Sequence, residues 1–289
     1  MHLLSACGPV AISPTAWMVC VPLSEVVNVA RYDDPEWMAL HRDIEAYSID
    51  KHVFLHTGNQ VHRKGWEWTQ AIYGLKKLGK LTPNARGIGV GAGREAIIFY
   101  LADQVGEVLA TDLYGMNDEW ITNEGAEAPA EILQDARQFC PRSFDESRVR
   151  FEVADGTALP YPDNSFDFCF SLSSIEHFGG HEASRRAIQE MGRVLKPGGV
   201  AAVATEYLLL PELTHAEYFN KAEVEEYLIN VGDKLKLVDG ISWDLPPQEY
   251  LIDQLVITTE AIHRRRRAVV VTNGEVQWTS IILFYQKAA

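Results

Sequence analysis

The chain has 289 residues, 47% of them hydrophobic and 23% charged, which is the balance of a soluble globular protein with a sizeable core. Its net charge of −14 argues against a protein that grips a nucleic-acid backbone, because that work runs on clustered Lys and Arg. The four cysteines, Cys7, Cys20, Cys140 and Cys169, form neither a CxxC pair nor a disulfide framework, so they offer no readable metal site and fit a reducing, cytoplasmic setting.

Residues 1 to 27 are apolar, but they lack a basic n-region and are broken by Pro9, Pro14 and Pro22. They read as a loose N-terminus, with Met18 as an alternative start, and no run approaches a transmembrane span. Residues 1–60 are expected to form a partly loose extension and 61–289 one domain. The domain divides into a cap helix at 61–80, a core at 84–205, and a lid with a C-terminal hairpin at 206–289.

Helical spacing from His62 to Leu78 turns Trp68, Ile72, Leu75 and Leu78 inward, and Gly79 and Pro83 end the helix. Its start is rich in functional groups. Arg63 or Lys64 could meet a carboxylate, and Trp66 could stack on a substrate or simply pack. From 84 to 205, short apolar runs alternate with helical periodicity, the form of βαβ units and a parallel sheet. The strands end at Ile88 and cover Glu107 to Thr111, Val149 to Ala154, Asp167 to Leu172 and Val200 to Thr205. Between them, Glu95 to Asp103 reads as a helix buried all round, and Glu182 to Leu195 as an amphipathic one closed by Pro197-Gly198-Gly199.

Downstream, His215 to Phe219 falls where a lid loop would lie, with His215 and Tyr218 as candidate substrate contacts. Lys221 to Val231 is helical and Leu235 to Val238 is a strand. Trp243 to Tyr250 is a second possible rim. The basic run His263 to Arg267 reads as a solvated connector, and Asn273-Gly274 as a hairpin turn between Val269 to Val271 and Trp278 to Tyr285.

The densest signal is Gly89-Val90-Gly91-Ala92-Gly93-Arg94-Glu95 between a strand and a helix, followed by Asp112 at the end of the next strand. Glycines there let backbone approach a ligand, and a strand-end carboxylate can accept both ribose hydroxyls, so an adenosine-containing ligand is expected. A dinucleotide fingerprint would need glycine where Arg94 stands, and no GxxxxGK[ST] string exists, which disfavours NAD, FAD and ATP hydrolysis.

With these motifs the chain resembles the class I S-adenosylmethionine-dependent methyltransferases of small-molecule type. The resemblance covers residues 60 to 286 and rests on GVGAGRE (89 to 95), ATD (110 to 112), ADGTALPYPDNSFDFCFSLSSIEHF (154 to 178) and RVLKPGG (193 to 199). It implies an α/β, Rossmann-like fold: a seven-stranded, mostly parallel sheet with a late antiparallel strand and helices on both faces. It also implies S-adenosylmethionine as cofactor, with Gly89, Val90, Gly91 and Gly93 along its methionine and ribose side and Asp112, beside Leu113, on the ribose. Asp155, Gly156 and Thr157 would flank the adenine, and Ser171 and Leu172 would lie near the reacting methyl. The chain departs from the family two residues before Gly89, where an acid is frequent and Gly87 stands; Arg94 or Glu95 could compensate.

Methyl transfer needs an acceptor held in line, and a hydroxyl acceptor also needs a base. His177, in Ser173-Ser174-Ile175-Glu176-His177-Phe178 after the fourth strand, has a pKa suited to that work, although a His there can also cap a helix. Glu176 is the next candidate, or else a first-turn acid at a helix N-terminus. His177 and His181 with Glu176 and Glu182 do not make a metal site, because Gly179-Gly180 breaks any common helical face. The expectation is a methyltransferase acting on a small-molecule or sugar-like hydroxyl, without nucleic-acid or membrane partners. The alternatives are an N- or C-methyltransferase and a non-catalytic cofactor-binding scaffold.

Overall fold

A computed structural model of the chain describes residues 21–54, 61–115, 121–122, 125–247, 251–253 and 269–288. The expectations for residues 1 to 20, for His263 to Arg267 and for residues 248 to 250 lie outside the described residues.

The strands are β1 (Ser24–Val26), β2 (Arg86–Val90), β3 (Glu107–Asp112), β4 (Ile121–Thr122), β5 (Gly125–Ala126), β6 (Val149–Val153), β7 (Phe166–Leu172), β8 (Leu195–Leu208), β9 (Leu235–Leu237), β10 (Ile241–Ser242), β11 (Leu251–Asp253), β12 (Val270–Thr272) and β13 (Gln277–Lys287). The helices are α1 (Pro35–Glu45), α2 (Arg63–Lys77), α3 (Ala96–Ala102), α4 (His181–Val194) and α5 (Lys221–Glu223), the last continuing as a π-helical turn over Val224–Ile229.

The main sheet runs β10-β1-β13-β8-β7-β2-β3-β6, with β9, β11 and β12 attached off this path. The block from β6 to β8 is parallel throughout. β13 enters antiparallel to β8 over nine residue pairs, from Trp278↔Leu208 to Gln286↔Val200. The chain places β3 and β6 on one side of β2 and β7 on the other. The strand order therefore reverses between β2 and β7, where open α/β sheets open a crevice at the carboxyl ends of their strands.

The sheet holds eleven strands among the described residues, not the seven expected. The reason is the length of β13: on its outer edge it pairs in turn with β12, β1 and β9, so several short strands fill the place of a single long one. One of them, β1, comes from the stretch expected to be a loose extension. Its neighbour α1 also belongs to the packed body. Asp34 caps it by accepting from the Glu36 and Trp37 amides, Pro35 fits the first turn, and Trp37, Leu40 and Ile44 are buried against the core.

The two faces of the sheet carry separate apolar layers. One joins α1, α2 and α3 to Phe168, Phe170 and Phe284. The other joins α4 and the Val224–Ile229 turn to Ile88, Cys169 and Val203. Among the described residues no helix is long and apolar enough to cross a membrane.

Candidate active site

The glycine loop is held at the crevice by its own strand neighbours. Thr111 donates to the Gly89 carbonyl (2.7 Å), Tyr114 to the Gly93 carbonyl (2.9 Å) and Ser174 to the Gly91 carbonyl (2.6 Å). Gly91 and Gly93 sit at φ of 65° and 49°, in the left-handed region. Asp112 closes the loop onto β3: its Oδ2 accepts from the Gly93 amide (2.8 Å) and its Oδ1 from the Leu113 amide (2.7 Å). Burial raises its carboxyl above the ordinary 3.8, against the pull of those two amides. Leu113 beside it is 41% exposed, an apolar surface open to a ring. Asp155, after β6, folds back on the Thr157 amide and hydroxyl, and Gly156 packs between Val90 and Phe178.

Gly87 has a steric explanation. A β-carbon there would lie 2.1 Å from the Phe168 ring, so the position frequent for an acid is filled by a neighbouring aromatic. The glycine loop instead leads into Glu95 at the start of α3, which accepts from Trp68 Nε1 (3.0 Å) and pairs with Lys64 (3.0 Å). Arg94 does not share this work; it pairs with Asp50 at 3.5 Å.

Glu95 belongs to a buried ionic cluster built on the first turn of α2. Glu67, fully buried, receives Arg63 (3.0 Å), Lys64 (3.3 Å), Ser173 (2.9 Å) and Ser280. Arg63 also pairs with Glu206 on β8 (2.7 Å), and Lys64 also donates to the Leu172 carbonyl (2.7 Å). The cations expected to meet a carboxylate thus meet carboxylates of the chain itself. Glu176 is buried too, one oxygen accepting from Thr205 (2.8 Å).

Burial by itself raises all four acids. At Glu67 the two cations, with Ser280 and Ser173, outweigh it and hold the carboxyl below 4.5. Glu95 is pushed up to about 7 despite Lys64. Glu176 and Glu206 are also raised, by burial and by the repulsion of neighbouring carboxylates.

His177 stands at the rim, 23% exposed, with Nδ1 3.3 Å from Glu217 Oε1 on the segment after β8. Burial lowers its pKa below 6.5, partly offset by Glu217, so the imidazole is neutral at pH 7. Opposite a carboxylate, a hydrogen bond there puts the proton on Nδ1 and the lone pair on Nε2. In the same segment His215 accepts from the Glu217 and Tyr218 amides and stacks on the Tyr218 ring, which leans on Trp278 at 4.9 Å.

Of the expected site residues, the structure gathers Gly89, Val90, Gly91, Gly93, Asp112, Leu113, Asp155, Gly156, Thr157, Ser171 and Leu172 at the ends of β2, β3, β6 and β7. Trp66 is wholly buried, as is Ser171. Sequence reasoning missed Glu67, Ser173, Glu206, Glu217 and Ser280. The signal available was a lone acid inside an apolar run, as at Glu206 in Ala204-Thr205-Glu206-Tyr207-Leu208.

These residues fit an adenosyl-sulfonium ligand. Asp112 and Leu113 suit a ribose and an adenine face, and the unpaired, buried Glu95 Oε2 suits a cationic amine.

Comparison with known proteins agrees with this geometry. Residues 88–203 match the family model described as Methyltransferase domain. The chain is 37% identical over 83 residues to Methyltransferase GfsG of Streptomyces halstedii, covering 29% of each chain. It is 42% identical over 95 residues to 27-O-demethylrifamycin SV methyltransferase of Amycolatopsis mediterranei, covering 33% of each. The matches also include an ajmaline N-methyltransferase of Rauvolfia serpentina and a tRNA (carboxymethyluridine(34)-5-O)-methyltransferase of Mus musculus. The first of these relatives are matched over only about a third of their length. Among solved structures, the YcgJ protein of Bacillus subtilis aligns with a TM-score of 0.48 at 18% identity, over 76% of this chain and 98% of that one. Residues 88–203 thus match a methyltransferase domain, and through them the chain is similar to the class I S-adenosylmethionine-dependent methyltransferases.

Proposed function

We propose that the chain transfers a methyl group from S-adenosylmethionine to a hydroxyl of a small molecule, with His177 taking the proton. S-adenosylmethionine, when bound, supplies an electrophilic methyl group on a sulfonium. The chain's part is to hold the cofactor and the acceptor and to move one proton. Asp112 receives the ribose hydroxyls, Leu113 covers one face of the adenine, and Asp155 with Thr157 borders its edge. Glu95, next to Lys64, takes over the contact to the amine that an acid two residues before Gly89 would otherwise make.

The observation that carries the choice of a hydroxyl is His177 itself: neutral at pH 7, at the end of β7, and oriented by Glu217. With Nδ1 engaged, Nε2 can accept the hydroxyl proton, and Glu217 stabilises the imidazolium that forms. The net acidity of the chain favours a small acceptor over a polynucleotide.

The test is calorimetric titration with S-adenosylhomocysteine, followed by turnover on a panel of hydroxylated acceptors by wild type and His177→Gln. A drop in kcat of about 100-fold with unchanged cofactor affinity is expected, the usual size of a lost general base. Turnover retained in the variant removes His177 from the mechanism and favours an N- or C-acceptor. Cofactor binding without transfer to any acceptor favours the scaffold reading.

A further inference from the structure

The buried cluster at the carboxyl ends of β7 and β8 contains more acid than base. Among the described residues, the cations paired with Glu67, Glu95 and Glu206 are Arg63 and Lys64, and Glu176 lies beside them. Glu67 is saturated by its four partners, whereas Glu206 Oε2 and Glu176 Oε1 have no hydrogen-bond partner among the described residues. Both residues are at least nine-tenths buried, at 5% and 0% exposure. They come together because β7 stops at Leu172 while β8 continues to Leu208. The turn Ile175–His177 then folds across the open edge of β8, and Thr205 fixes Glu176 there.

A second, independent group is unpaired in the same place. Ser280 pairs with Glu206, and Trp278 with Leu208, so Trp278 shares the sheet face of Glu206. Its indole N–H is buried and has no partner among the described residues, and Tyr218 leans against its ring. Tyr218 in turn lies within electrostatic reach of Glu206, Arg63 and Glu176. Two unpaired acceptor oxygens, from β8 and from the Ile175–His177 turn, and one unpaired donor on the same sheet face of β13 therefore lie in the region of the segment that carries Glu217 and Tyr218, the donor being suited to an oxygen of a ligand and the acceptors to its N–H groups. Buried polar atoms in folded proteins have partners, so this grouping calls for a ligand or for water. Water would serve the two carboxyl oxygens without opposing the mutual repulsion that raises these acids; a cationic nitrogen donates to both oxygens and supplies the opposite charge.

We infer that the small-molecule acceptor carries a protonated amine and that Glu206 and Glu176 receive it. The inference rests on the methyl-transfer reading for the word acceptor, and on the cluster alone for the amine. The ammonium donates to Glu206 Oε2 and Glu176 Oε1, and Arg63 keeps Glu206 in place through its other oxygen. The groups facing the pair are Arg63 and Glu67 of α2, Lys64 beyond them, and Tyr218 of the covering segment.

The test uses the full chain saturated with S-adenosylhomocysteine and two matched probe pairs, benzylamine with benzyl alcohol and cyclohexylamine with cyclohexanol. Tryptophan fluorescence and calorimetry report binding. Each amine is expected to bind at least tenfold more tightly than its alcohol. Glu206→Gln and Glu176→Gln should each erase that preference while changing the affinity for S-adenosylhomocysteine less than twofold.

Glu206→Gln also loses a pairing with Arg63; if that variant does not fold, Glu176→Gln, whose side chain is held by Thr205 and takes part in no ion pair among the described residues, carries the test. Equal binding of amine and alcohol, or no binding of either, overturns the inference, as does a preference that survives in the folded variants. If S-adenosylhomocysteine fails to bind, the methyl-transfer reading falls by itself, and the amine comparison still judges the pair.

Discussion

Replacing Glu67 by Gln should cost the fold more than any other single change in the site. The carboxylate is fully buried and accepts from Arg63, Lys64, Ser173 and Ser280, tying α2 to β13 and to the end of β7. Glutamine keeps one carbonyl oxygen but turns its amide toward one of the two cations. Two charge-assisted contacts are lost or weakened at about 1.5–3 kcal/mol each, and breaking a buried ionic cluster from one side costs about 3–5 kcal/mol in all. For a domain of this size that lowers Tm by roughly 10 °C. Urea denaturation at pH 7 measures the difference. The sign with pH is fixed by the lowered carboxyl: its stabilisation is complete above 4.5 and fades as pH falls through the lower folded value. The gap between wild type and variant should therefore shrink in acid. A difference under about 1 kcal/mol at pH 7, or one that does not shrink, would refute the reasoning that Glu67 organises the cluster.

Gly87→Asp should not restore a family-like acid. Its β-carbon meets the Phe168 ring at 2.1 Å, so the variant should lose about 3 kcal/mol, and Phe168→Ala in the same chain should return part of it in a thermal melt. Asp112→Asn should weaken S-adenosylhomocysteine at least tenfold in calorimetry, because an amide cannot accept two hydroxyls and two backbone amides together. The raised carboxyls of Glu95, Glu176 and Glu206 act opposite to Glu67: their contribution is complete below 4.5 and is lost as pH rises, for Glu95 through about 7. Unliganded protein should thus lose stability between about pH 5 and 7 in a melting series, and Glu176→Gln should flatten that slope.

The cofactor half of the site was legible because its parts are local. Gly91 and Gly93 declare a tight loop within seven residues, and Asp112 and Asp155 each stand at the end of a recognisable strand. The second half was not, because its members come from residues 63–67, 95, 173–176, 206 and 280 and meet only through strand register. Nothing near Ser280 in the sequence says that it faces Glu206; that follows from β13 entering antiparallel to β8. β1 was missed for a related reason. Ser24-Glu25-Val26 is too short to show alternation, and it is a strand only because β13 offers an open edge.

The misplaced acid links these two halves. In a chain with an acid two residues before Gly89, the charge would sit on β2 and be solved within the glycine motif. Here Phe168 fills that space, and the acid that ends the glycine motif, Glu95, is paired with Lys64 from a helix outside that motif. Lys64 also holds the Leu172 carbonyl and Glu67, and Glu67 holds Arg63, which holds Glu206. Glu95, proposed to meet the cofactor, and Glu206, proposed to meet the acceptor, are therefore the two ends of one continuous ionic chain running along the first turn of α2. A change in charge at either end is felt at the other through four contacts in a medium where water screens little. Binding of a cationic cofactor group at Glu95 should then draw Lys64 less strongly, leave it more to Glu67, and free Arg63 for Glu206. A double-mutant cycle between Glu95→Gln and Glu176→Gln, read as amine affinity with and without S-adenosylhomocysteine, measures that coupling, and strict additivity would show that the two ends act alone.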